Sequence, residues 1–126
     1  MEGPPAHALR AELARPGFFP GDPGPATVRE THGSWVFLTR DRAYKLKKPI
    51  VLPYLDYGTA ERRHAMCREE VRLNRRLAPE VYLGVRAIAA TGDGYALAAE
   101  DDPRAVDHVV EMRRFEIGRA SGRERV

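Results

Sequence analysis

An α+β domain, with one major helix against a mainly antiparallel sheet of five to six strands, follows from three features of the chain. Three β-favouring runs, 26–31, 33–39 and 43–50, come first. One long helical segment, 59–77, follows them. Three more β-like runs, 81–90, 95–99 and 105–112, complete the order. Short turns between successive strands make hairpins and meanders rather than parallel crossovers, so the helix is left to cover a sheet face. At 126 residues the chain is one ordinary domain at most, and 43% apolar residues suffice for a modest core.

Residues 1–25 read as a Pro/Gly-rich N-terminal arm. Residues 6–14 predict a short helix with Leu9 and Leu13 four apart on one face. Pro16, Pro20, Pro23 and Pro25 then forbid regular structure, and Phe18 and Phe19 are expected to dock on the body. Trp35, Val36, Phe37 and Leu38 favour a strand, and His32-Gly33-Ser34 is a turn before it. Thr39 to Arg42 is a polar hairpin turn. In the next strand, alternation puts Tyr44, Leu46 and Lys48 on one face and Ala43, Lys45 and Lys47 on the other. Pro49 and Pro53 end it, and 53–58 reads as a loop.

Thr59 offers a side-chain oxygen as a helix N-cap, with Glu61 in the first turn. Met66, Glu70, Leu73 and Leu77 fall on one helical stripe, expected to face the core, and Pro79 stops the helix. Gly92-Asp93-Gly94 and Glu100-Asp101-Asp102-Pro103 are turns among the last strands. Asp107 is expected in or near a turn.

Composition narrows the function classes. The net charge of +3 arises from interspersed Arg and Glu, which permits nucleic-acid binding without indicating it. No apolar run approaches the roughly 20 residues that span a bilayer, so no membrane partner is expected. The N-terminus carries no secretory pattern and Cys67 is the lone cysteine, so we expect a cytoplasmic protein without a disulfide framework or cysteine metal cluster.

Charge placement is more informative. Of the 21 Lys and Arg, only three are Lys, at 45, 47 and 48. An ammonium acts as a compact point charge where guanidinium is a planar fork. A solvated edge strand explains such a cluster as well as a binding role does. Glu70 on an apolar stripe must pair or reach solvent, because a carboxylate buried alone is costly. Border snorkelling, or pairing with Arg62, Arg63 or Asn74, would satisfy it.

A family pattern runs through 30–38, 41–49, 55–59, 67–79, 81–85 and 110–115. These blocks read ETHGSWVFL, DRAYKLKKP, LDYGT, CREEVRLNRRLAP, VYLGV and VEMRRF. Over roughly residues 6–115 the chain resembles the aminoglycoside-phosphotransferase-like N-terminal domains of bacterial proteins with a downstream P-loop kinase domain (phosphotransferase/ATP-binding, gluconate-kinase-like). The resemblance implies a kinase-like small lobe over 26–115. It implies that Lys45 contacts ATP, with Glu70 fixing its direction, while Lys47 and Glu69 are one-position alternatives. It gives Ser34 a place in the phosphate-covering turn, where a plain turn serine reads as well. It puts Glu111, Met112 and Arg113 on the strand leading to the hinge that meets the adenine.

The same resemblance implies ATP and Mg²⁺ as cofactors and a small hydroxylated acceptor. The catalytic Asp, the Asn and the metal-binding Asp of phosphoryl transfer would lie in a C-terminal lobe after Phe115, so no catalytic residue is assigned within these 126 residues. Residues 116–126 break the pattern and resemble the translation of a sequencing adapter, differing at Gly122; we expect them to be an artefactual tail. Two other readings compete. One is a stand-alone module binding nucleic acid weakly through the helix arginines and Lys45 to Lys48. The other is a pseudokinase-like regulatory lobe.

Overall fold

The computed structural model describes residues 4–114. Its strands begin and end where local hydrogen bonding dictates. Strands β1 (Thr27–Glu30), β2 (Ser34–Leu38) and β3 (Arg42–Lys47) form two successive hairpins, each closed by a threonine. The Ser34 amide donates to Thr31 Oγ1 at 3.0 Å, and the Arg42 amide donates to Thr39 Oγ1 at 3.1 Å. Such side-chain bonds hold a tight turn against the flanking ladder.

Helix α1 (Ala6–Leu13) precedes these strands. Two short strands, β4 (Val51–Leu52) and β5 (Leu55–Asp56), pair across Pro53 and Tyr54, β5 within the segment read as a loop and β4 just before it. Helix α2 (Ala60–Asn74) follows, with Thr59 as N-cap accepting from the Arg62 amide. Strands β6 (Tyr82–Ala90), β7 (Tyr95–Ala99) and β8 (Ala105–Arg113) complete the order. Six strands make one sheet, β1-β2-β3-β8-β6-β7, every neighbouring pair antiparallel. The α+β expectation holds.

Both faces of the central sheet are covered, which is why β2 runs apolar without alternation from Trp35 to Leu38 and is buried throughout. One face packs Trp35, Phe37, Tyr44, Leu46, Ile88 and Val109 against Leu9, Leu13 and Phe19. The arm therefore docks as expected, with Phe19 stacked on Tyr44 at 4.3 Å. The other face packs Val36, Leu38, Ala43, Val110 and Met112 against Cys67 and Val71 of α2. The predicted alternation of β3 is therefore observed.

Three local expectations need correction. The helix ends at Asn74 rather than Leu77, where the chain turns toward Pro79. Its inward row is Arg63, Cys67 and Val71, and Met66, Leu73 and Leu77 are exposed. The core face is thus rotated by about one residue, roughly 100°. The rotation is possible because Arg63 reaches Asp107, with Nε–Oδ2 at 3.2 Å, so a guanidinium can occupy the inner row. Asp107 accordingly lies within β8, 1% exposed, and not in a turn. The tail assigned to 116–126 lies outside the described residues.

Candidate functional site

Lys45 and Lys47 are two apart on β3 and so share a sheet face. That face lies under α2, where Glu70 meets them at the border of the buried row. Lys45 Nζ donates to Glu70 Oε2 at 2.7 Å, and Lys47 Nζ donates to Oε1 at 2.6 Å. Both oxygens of one carboxylate are bridged by two ammoniums. The pairing falls to Glu70 and does not choose between the two lysines. Both lysines pair with Glu70, while Glu69 turns outward and accepts from Arg72 Nε at 3.2 Å. Lys48 projects to the opposite face, pairing with Glu30 at 2.6 Å over the Trp35 ring.

The two lysines differ in setting. The Lys47 side chain is 5% exposed, and its ammonium sits 5.0 Å from the Tyr57 ring centroid. Burial alone would push that ammonium down, but Glu70's charge and hydrogen bond hold it above the usual lysine range. Burial likewise opposes ionisation of Glu70, and Lys47 and Lys45 outweigh it, holding the carboxyl below its usual range. The Lys45 side chain is 23% exposed. An ammonium has three donors, so Lys45 can offer others to a ligand beyond the one that Glu70 takes. Two cations against one anion leave the group with a surplus positive charge on a partly open face.

Ser34 stands directly across from Lys47 in the β2–β3 register and shares its face. The β1–β2 turn closes on the same corner, with the Lys48 amide donating to the Gly33 carbonyl at 2.8 Å. Beneath Lys47, Cys67 is fully buried, and burial pushes its thiol up to about 12.

The structure does not bring Glu111, Met112 and Arg113 together with the lysines through their side chains. Glu111 pairs with Tyr44 in register and faces away, accepting from Tyr44 Oη at 3.0 Å. Met112 packs in the α2-side core. The Arg113 amide donates to the Val81 carbonyl at 2.7 Å, and the Arg113 side chain to the Glu80 carbonyl at 3.1 Å.

A second polar cluster escaped sequence reasoning. Arg63 binds Asp107 and donates to the Tyr57 carbonyl at 2.8 Å. His64 and His108 stack with centroids 3.5 Å apart, and His64 meets Glu100 at 2.7 Å. An aspartate inside the apolar run 105–112 was the available signal. Its arginine partner, 44 residues away, was not visible locally. The cluster braces α2 against β8 and thereby fixes the position of Glu70.

The chain is similar to two larger mycobacterial proteins, the uncharacterized protein Rv2004c of Mycobacterium tuberculosis (strain H37Rv) and the uncharacterized protein Mb2027c of Mycobacterium bovis. Each is 42% identical over 88 residues, 70% of this chain. The match falls in the N-terminal part of these relatives, and the chain spans 16% of their length. No protein-family model matches the chain, and no solved structure matches it. No helix of the described residues is long and apolar enough to cross a membrane.

Proposed function

We propose that this chain is the nucleotide-binding small lobe of an ATP-dependent phosphotransferase acting on a small hydroxylated acceptor. The observation that carries the reading is the Lys45–Glu70–Lys47 group, two ammoniums sharing one carboxylate on a partly open sheet face. Phosphates are dense negative charge, and a lysine on a rigid strand supplies a localised counter-charge. Lys45 binds the phosphates with its free donors. Lys47, held by Glu70 and the Tyr57 ring, supplies charge from behind. Glu70 orients both and keeps either from collapsing onto the ligand as a fixed ion pair. Backbone amides of the β1–β2 turn and Ser34 border the same space.

Among the described residues no group of three or more His, Cys, Asp or Glu side chains is placed to hold a metal ion; Mg²⁺ beside phosphates needs only one or two carboxylates, the rest coming from the phosphates and water. In this reading the ion and the catalytic carboxylates belong to polypeptide such as the relatives carry beyond the matched segment. The fragment is then inert alone and binds nucleotide weakly.

The test uses the intact longer protein. Losing a charge-assisted contact of about 1.5–3 kcal/mol lowers kcat/KM roughly 10- to 100-fold, so Lys45→Ala should fall in that range. Undiminished phosphoryl transfer in that variant would refute the assignment of Lys45.

A further inference from the structure

His108 of β8 is 9% exposed and lies face to face on His64 of α2, the ring planes 7° from parallel. Its Nε2 meets the Glu100 carbonyl at 3.1 Å. A carbonyl only accepts, so Nε2 carries the ring hydrogen and Nδ1 holds a lone pair. Among the described residues, His108 Nδ1 is buried and finds no hydrogen-bond partner. A proton arriving there makes an enclosed N–H with no acceptor, on a ring that would also be charged.

The surrounding charges do not answer such an imidazolium. Arg63 and Arg68 of α2 are cations, and Cys67 between them is a neutral thiol. Lys47 lies one step along β3 from the Leu46–Val109 pair, on the face that α2 covers. On β6, Ala87 stands opposite His108. Glu100, before β8, is taken by His64 at 2.7 Å and by Arg68 at 2.8 Å. Asp107 is taken by Arg63 at 3.2 Å and by the His108 amide at 2.8 Å. Glu61 is exposed, beside a pocket of about 120 Å³ that His64 and His108 line. Burial holds the His108 imidazole below the usual histidine range, against the pull of the Glu100 carbonyl.

We propose that His108 is an acid-operated latch on α2: neutral, it lets the helix lie on β8, and protonated at Nδ1 it turns to water and lifts the first half of α2 from the sheet. Cys67, three residues past His64 and with Sγ 4.0 Å from the His108 carbonyl, is uncovered by that motion. Glu70 lies three residues further on, so acid would also draw it from Lys45 and Lys47. The latch goes beyond the nucleotide reading and stands or falls without it. The sign follows from the neutral folded form. His108 contributes fully above the ordinary histidine pKa of about 6.5, and the contribution is lost as pH falls from there toward the lower native value.

The test follows labelling of Cys67 in this chain by dipyridyl disulfide, which reacts with thiols in acid as well as at neutral pH. Each rate is divided by that of the chain unfolded in urea at the same pH. One proton taken up on opening raises the opening constant at most tenfold per pH unit, so protection should fall about tenfold between about pH 7 and pH 5. The amide NMR signals of Phe37 and Leu46, buried on the other face of the sheet, should keep their positions. His108→Phe keeps the stack and takes no proton, so its Cys67 should stay protected over the same range, while His64→Phe should retain the acid step. Flat protection in the parent, an unchanged step in His108→Phe, or loss of the step in His64→Phe would each overturn the proposal. So would Phe37 and Leu46 signals lost together with Cys67 protection, which is global unfolding. Should His108→Phe not fold, the His108 ring signal of the parent decides: it should titrate at the midpoint of Cys67 exposure, and a ring that titrates elsewhere overturns the latch.

Discussion

Replacing Glu70 by Gln keeps the shape of the side chain and removes the carboxylate that Lys45 and Lys47 share. Lys47 is then a nearly buried cation facing another cation. Removing one partner of a buried pair costs about 3–5 kcal/mol. Lys45 can swing toward water, being 23% exposed, so we predict about 2–4 kcal/mol at pH 7. Urea unfolding followed by circular dichroism measures it, with the m-value unchanged if the fold is kept. The pH profile carries the sign. Glu70's carboxyl is held below its usual range in the folded state. Its contribution is therefore complete above the ordinary carboxylate pKa and is lost as pH falls through the folded value. The Lys47 ammonium is held above its usual range. Its contribution is complete below the ordinary lysine pKa and is lost as pH rises through the folded value. The parent thus enjoys both between about pH 5 and pH 10. In Glu70→Gln, burial and Lys45 push Lys47 down, so the deficit shrinks as pH rises toward 10. A variant within 0.5 kcal/mol of the parent across about pH 5–9 would refute the coupling of the three side chains.

Two further outcomes test the packing. Cys67, fully buried with its thiol pushed up to about 12, should not react with a thiol reagent at pH 8 until the chain unfolds; rapid labelling of the native protein would show that α2 does not cover it. Phe19→Ala should cost about 3–4 kcal/mol in urea unfolding, because the ring is buried on Tyr44 and Phe37; a loss below 1 kcal/mol would show that the arm contributes little to the core.

The sequence made the hairpins and the α2 N-cap legible because their determinants are local: Thr39, Thr59 and the period-two alternation of β3 act within a few residues. Glu70 was legible as an anomaly, a carboxylate on an apolar stripe, and its partners were among the residues that the family resemblance named. The inward face of α2 was not legible. Its helical periodicity contains two rows, and the choice between them rests on Arg63 finding Asp107 across the sheet, a contact with no local trace. The His64–His108 stack was hidden for the same reason. The β4–β5 hairpin was missed because Pro53 reads as a breaker, although at the tip between two-residue strands a proline removes no ladder bond.

The central claim is that Lys45, Lys47 and Glu70 form an anion-receiving group. Its most direct test is an amide and side-chain NMR titration of this chain with ATP. Weak, saturable shifts centred on Ser34, Lys45, Lys47 and Glu70 are expected, larger for ATP than for AMP and absent in Lys45→Ala. Shifts confined to the arginines of α2, or none at millimolar ATP, would contradict it.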